Sequence, residues 1–156
     1  MSDASEAGFE LDPRLARDTV FVADWKLCRV LLMDDAQFPW LVLVPRRAHL
    51  VELDDLANAD QISLLGEINR AMALLRWRVP CDKLNVGALG NIVNQLHVHV
   101  VARRRHDAAW PGPVWGHAPA HRYVPEARDR LVALLTREAT GEGAAPTRLP
   151  HRSDDG

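Results

Sequence analysis

The clearest alternation of apolar and polar positions runs over residues 95–101, Gln-Leu-His-Val-His-Val-Val. A β-strand there places Gln95, His97, His99 and Val101 on one face and turns Leu96, Val98 and Val100 toward a core. Earlier in the chain, residues 19–23, 26–33 and 40–44 read as strands, the last a continuous apolar run ended by Pro45. Polar turns separate them, which predicts an antiparallel meander. Residues 82–88 read as a further strand leading into a loop with two glycines, Gly87 and Gly90. Between the two strand groups lies a long helix. Asn58 is a candidate N-cap, with Gln61 completing a capping box. Ile62, Leu65, Ile68, Met72, Leu75 and Val79 follow at spacings of three and four and predict one apolar stripe. Glu67, Asn69, Arg70, Arg76 and Arg78 fall on the other side, and Pro80 stops the helix. Asp12 and Pro13 predict the start of a short helix. A last amphipathic helix is expected over 126–138, with Pro125 at its start and Leu131, Leu134 and Leu135 as its apolar side. The expected fold class is α+β, with an antiparallel sheet of about five strands, the long helix on one face and a C-terminal helix.

Length and composition refine this picture without changing it. The chain has 156 residues, 47% hydrophobic and 26% charged, as expected for one soluble domain. The domain is expected over residues 9–139, with disordered segments at 1–8 and 140–156. A net charge of −2 gives no whole-molecule field that would draw the protein to nucleic acid or a membrane. Cys28 and Cys81 are too few for a disulfide framework. The N-terminus lacks the apolar core of a secretory signal, and no run is long enough to span a bilayer. A cytoplasmic location is the expectation.

Two histidines one residue apart on a strand admit three readings. The first is a polar strand face turned to solvent or a partner. The second is a metal site, because His-x-His is a common ligand spacing. The further ligands on offer are His106, His117 and His121 at irregular spacing, and two isolated cysteines without a Cys-x-x-Cys. The third is nucleophilic catalysis by imidazole at a phosphoryl centre. A neutral imidazole with a reference pKa of about 6.5 is both a competent nucleophile and a proton donor near neutral pH. The glycines of Gly87-Ala88-Leu89-Gly90-Asn91 suit a loop that wraps a phosphate or ribose.

The run Gly90-Asn91-Ile92-Val93-Asn94-Gln95-Leu96-His97-Val98-His99-Val100-Val101 resembles the signature of the histidine triad (HIT) superfamily. That signature is His-φ-His-φ-His-φ-φ, with φ apolar, after a Gly-Gln/Asn-Ser/Thr-Val stretch. A second block, residues 30–34 and 41–49, resembles the family's strand, ribose-binding aspartate, strand and Pro-Lys/Arg-x-His turn. The resemblance covers residues 19–105, with the signature region at 85–105. Three positions depart from the family. Gln95 replaces the first triad histidine, Trp40 replaces the fourth active-site histidine, and Ile92 stands where a hydroxyl residue often touches the α-phosphate.

The resemblance implies a homodimer with nucleotide sites on the sheet, no metal and no cofactor. It implies cleavage at the α-phosphate of a nucleotide conjugate, such as a dinucleoside polyphosphate or a nucleoside phosphoramidate, through a nucleotidyl-histidine. The catalytic residues would be His97 as nucleophile, His99 and Gln95. Nucleotide and phosphate contacts would come from Asp34, Asn85, Asn91 and Trp40. Asp34 could equally serve the turn, and Trp40 could be a core aromatic. The ligand would be a purine nucleotide or nucleotide conjugate. His49 matches the family's turn histidine, with a structural role. Arginines 103–105 would form a solvated strand end or reach distal phosphates. The Trp110–Trp115 loop would close over the site or anchor the tail. Three alternatives remain: a nucleotide-binding protein of the same fold with little turnover, a nucleotidyl transferase, and a metal-dependent protein that uses His97 and His99 as ligands.

Overall fold

A computed structural model describes residues 7–141. The disorder expected over 1–8 and 140–156 therefore falls almost wholly outside the described residues. The elements are α1 (Pro13–Asp18), β1 (Thr19–Asp24), β2 (Cys28–Met33), β3 (Trp40–Pro45), a 3-10 turn (Leu53–Asp55), α2 (Asn58–Arg78), β4 (Lys83–Gly87), β5 (Val98–Arg103) and α3 (Pro125–Ala139). The five strands form one antiparallel sheet in the order β1-β2-β3-β5-β4. The α+β expectation, with a five-stranded sheet and a long helix on one face, holds. Among the described residues no helix is long and apolar enough to cross a membrane.

Both faces of the sheet are covered. On one, Val30, Leu32, Leu41, Leu43, Val98 and Val100 pack with Leu64, Ala71 and Leu75 of α2 and Leu135 of α3. On the other, Leu31, Trp40, Val42, Val44 and Val101 pack with Leu15 of α1 and with Ala109 and Val114 of the loop after β5. This double burial explains why β3 is apolar throughout: all six of its residues are buried.

The phase of α2 differs from the predicted stripe. Ile62 and Leu65 are 75% and 60% exposed, while Leu64, Glu67, Ala71, Leu74 and Leu75 are buried. The helix also begins one residue earlier in role than expected. Ala57 is the N-cap, Asn58 is the first helical residue, and Gln61 donates instead to the Leu56 carbonyl at 2.9 Å. Glu67, expected on the solvent side, is turned inward by unmet backbone donors. Its carboxylate accepts from the N–H groups of Leu27 and Cys28, both at 2.8 Å, in the β1–β2 turn. One side chain thus pins the helix to the sheet. Burial, then the Glu67 charge, pushes the Cys28 thiol up, so this cysteine stays protonated and unreactive. Glu67→Ala strands two buried donors and is expected to cost about 3 kcal/mol. A thermal melt should show a fall of roughly 10 °C; an unchanged midpoint would refute this account of the helix phase.

Candidate active site

The register sets the site. β3 pairs with β5 so that Val42 faces His99 and Trp40 faces Val101, and β4 places Gly87 beside His99. Parity along the chain sends Leu96, Val98 and Val100 to the helix-covered core and His99 and Val101 to the opposite face, as the alternation predicts. The strand itself starts only at Val98. His97 therefore stands just ahead of it, and Gln95 lies in a bend rather than on the strand face.

His97 and His99 are 7% and 6% exposed, with ring centroids 4.7 Å apart and planes at 76°. Nδ1 of His97 lies 2.7 Å from the Gln95 carbonyl oxygen. A carbonyl only accepts, so Nδ1 carries the proton and Nε2 keeps a free lone pair. His99 is held the other way round. The Trp40 indole N–H donates to its Nδ1 at 3.0 Å. An indole only donates, so His99 carries its proton on Nε2. Burial, then the charge of His97, pushes the His99 pKa down to about 3. The pair thus presents one free nitrogen lone pair and one neutral N–H donor. Beside them a shallow cleft is lined by Val51, Glu52, Leu89, Gly90 and His97. Gly90, at φ 69°, makes the turn that brings its loop to this cleft.

Trp40 is both a buried core aromatic and a partner of the site. The Trp115 indole completes an aromatic box, with centroids 5.7 Å from His99 and 6.2 Å from Trp40. It also packs against Gly87, where an added Cβ would lie 3.1 Å from the indole. The Trp110–Trp115 loop therefore covers the site of its own chain. Trp40→Phe removes the donor to His99 and keeps an aromatic ring there. Part of the His99 population is then expected to move its proton to Nδ1. The change should persist from about pH 5 to 9, since burial keeps His99 neutral in either tautomer; nitrogen-15 spectra of the imidazole rings would check this, and an unchanged His99 tautomer would refute it.

Other candidates are engaged elsewhere. The carboxylate of Asp34 accepts from Arg122 Nη1 at 2.9 Å and from the Tyr123 N–H at 3.1 Å. Its neighbour Asp35 accepts from the N–H groups of Gln37 and His121. Together they strap residues 121–123 to the β2–β3 turn, so the geometry gives Asp34 an anchoring role. Asn85 accepts at 2.7 Å from Arg103, which is 1% exposed rather than a solvated strand end. Arg103 also makes two bonds to Asp107, at 2.7 and 2.9 Å, and lies over Phe38 and Trp110. Arg104 and Arg105 are exposed, as is Asn91. His49 sits in its turn at φ 62°. Among the described residues no group of three or more His, Cys, Asp or Glu side chains could hold a metal ion.

Both polar atoms of the Gln95 amide meet the N-terminal segment. Oε1 accepts from the Asp12 N–H at 2.9 Å, and Nε2 donates to the Glu10 carbonyl at 2.8 Å. The same segment sends Arg14 Nη1 to the Ile92 carbonyl at 2.7 Å. The Asp12 carboxyl is held below its ordinary range, chiefly by the Arg14 hydrogen bond, with a smaller contribution from the charge of His97. Sequence reasoning assigned residues 10–14 no part in the site. Only the Asp12-Pro13 helix start marked them, and nothing in it points to Gln95. The Arg103 cluster had a local sign, Asp107 four residues on.

The family model for the HIT domain matches residues 14–106, more than half of the chain. The structure is similar to that of a histidine triad protein from Sinorhizobium meliloti, with 45% identity, a TM-score of 0.81, and coverage of 83% of this chain and 96% of that one. A histidine triad protein from Bradyrhizobium japonicum gives 44% identity, a TM-score of 0.81, and coverage of 84% and 98%. One from Marinobacter aquaeolei gives 40% identity, a TM-score of 0.83, and coverage of 88% and 100%. No curated protein matches the sequence. A five-stranded sheet that presents His97 and His99 in this way, with a family match over most of the fold, makes this chain a member of the histidine triad (HIT) family.

Proposed function

We propose that the protein is a nucleotide hydrolase that cleaves at the α-phosphorus of a nucleotide conjugate. The observation that carries this reading is the 2.7 Å approach of His97 Nδ1 to the Gln95 carbonyl, which leaves Nε2 as the free, nucleophilic nitrogen. In the first step the Nε2 lone pair forms a bond to phosphorus, and the P–O bond of an anhydride or the P–N bond of a phosphoramidate breaks. The leaving group departs with the electron pair and takes up a proton from solvent, which is returned when water adds in the second step. Water then attacks the nucleotidyl-histidine, which releases a nucleoside monophosphate and restores the imidazole. The Nε2–H of His99 donates to a phosphoryl oxygen and stabilises the charge that builds there. In this reading the amide of Asn91, exposed on the glycine loop, donates to the same phosphate. The purified protein, mixed with diadenosine polyphosphates and with AMP–amine conjugates, is expected to release AMP. Absence of AMP from both classes would refute hydrolysis.

One observation favours a second reading, nucleotide binding with little turnover. The position of the first triad histidine holds an amide that cannot shuttle a proton, and its polar atoms already have partners. Tight AMP binding by calorimetry without turnover would decide for it. A homodimer belongs to the same proposal. β4 is an edge strand carrying the exposed Val86, and α2 presents Ile62 and Leu65 to solvent. A monomeric sedimentation coefficient at micromolar concentration would exclude it.

A further inference from the structure

Between Gly87 at the end of β4 and Val98 at the start of β5, the backbone belongs to no strand. This is the stretch that must fix the carbonyl of Gln95, because that oxygen holds His97 Nδ1 at 2.7 Å. Among the described residues one main-chain bond reaches it from outside, Leu96 N–H to the Leu50 carbonyl at 2.9 Å, while Leu96 and Val93 pack into the cores on either face of the sheet. Further polar ties come from the N-terminal segment. Glu10 and Asp12 grip the Gln95 amide from both of its polar ends, and Arg14 holds the Ile92 carbonyl at 2.7 Å. Residues 83 and 85 positions away in sequence thus restrain the residue that orients the imidazole.

We propose that Gln95 is a positioning residue, through which a clasp formed by residues 10–14 holds the His97 ring with Nδ1 protonated and Nε2 presented to phosphorus. The role follows from direction. The side chain of Gln95 points to the N-terminal backbone, and its main chain points to His97. An imidazole in place of Gln95 could bond one of the two backbone groups but not both at once, since neutral imidazole has one donor and one acceptor on opposite sides of a rigid ring. An amide carries both on one short, rotatable arm. The clasp therefore accounts for the departure of this chain from a histidine at position 95. The inference rests on the hydrolase reading for its kinetic readout and on the His97 ring itself for an independent one.

The test uses four full-length variants. Gln95→Leu removes both side-chain bonds. Gln95→Glu keeps the acceptor for Asp12 N–H and loses the donor to Glu10. Asp12→Pro removes the backbone donor without touching the site, and a proline fits there because Asp12 sits at φ −53°. Asp12→Ala keeps that donor and is the reference for Asp12→Pro, since both lose the carboxylate. Nitrogen-15 spectra of the histidine rings report the His97 tautomer, and steady-state kinetics report kcat and KM. Gln95→Leu, and Asp12→Pro relative to Asp12→Ala, are expected to lose the fixed Nδ1–H signature and to lower kcat about tenfold with KM nearly unchanged. Gln95→Glu should fall between wild type and Gln95→Leu. An unchanged signature and unchanged kcat in Gln95→Leu overturn the proposal. So does a loss of kcat in Gln95→Leu with the signature intact and Asp12→Pro equal to Asp12→Ala, because Gln95 would then act on the substrate directly. If the signature changes while even the wild type releases no AMP, the clasp stands and the hydrolase reading falls.

Discussion

His97→Asn is expected to lower AMP release by at least about 10⁴-fold, since it removes the atom that would bond to phosphorus. Asparagine retains a donor for the Gln95 carbonyl and approximates the Nδ1 side of the ring, so the thermal midpoint should move by only a few degrees. Nucleotide affinity should persist, because His97 contributes one contact among several. The informative comparison is single-turnover kinetics on wild type and variant. Wild type should accumulate a phosphorus–nitrogen adduct that is labile to acid, and the variant should accumulate none. Full activity in His97→Asn would remove the nucleophile and with it the proposed reaction.

The second large effect falls on stability. Arg103 and Asp107 form an ion pair whose side chains are 1% and 4% exposed. The Arg103 hydrogen bond, opposed by burial and aided by backbone donors, holds the Asp107 carboxyl at about 2. Asp107→Ala leaves a guanidinium buried without a counter-ion, held by the Asn85 oxygen and two aromatic rings, and is expected to cost about 3–5 kcal/mol. The corresponding fall in Tm is roughly 10–15 °C. A double variant, Arg103→Met with Asp107→Leu, should recover part of the loss, because it removes the charge together with its partner but leaves the Ala109 N–H and the Asn85 oxygen unpaired. Acid titration gives an independent check. Asp107, with its folded pKa depressed, contributes stability that is present above about pH 4 and lost as pH falls through about 2. His99 also has a depressed pKa, but it is a base. The unfolded chain takes up its proton below about pH 6.5 and the folded chain only near pH 3, so stability falls across that window. Urea midpoints between pH 7 and 2.5 should therefore show a loss in two stages, the earlier one absent in His99→Asn.

The pattern of the chain made much of this legible. Alternation over residues 95–101 put His99 and Val101 on one face and Leu96, Val98 and Val100 on the other, and the register bears this out. The meander order and the Asp12-Pro13 helix start could be read from turn and cap chemistry alone. What escaped was set by contacts distant in sequence. Hydropathy assigns Ile62 and Leu65 to a core and Glu67 to solvent, but α2 is rotated so that Glu67 meets the two free N–H groups of the β1–β2 turn. Arg103 reads as surface until Asp107, Asn85 and two aromatic rings are folded around it. The indole of Trp40 reads as bulk, yet its N–H decides which nitrogen of His99 is protonated. In each case hydropathy classifies the side chain by its type, while its role comes from partners that the fold brings from elsewhere.

The straps at Asp34–Asp35 and at Gln95 also bear on how the protein is made. Residues 10–14 hold the Gln95 amide and Trp115 packs on His99, so segments far apart in sequence flank the same pair of imidazoles. During synthesis the signature leaves the ribosome tunnel well before Trp115 and Tyr123 do. A nascent chain at that stage has the two histidines but neither the aromatic lid nor the strap. The groups that flank the histidine pair are therefore complete only once the chain has emerged past Trp115 and Tyr123.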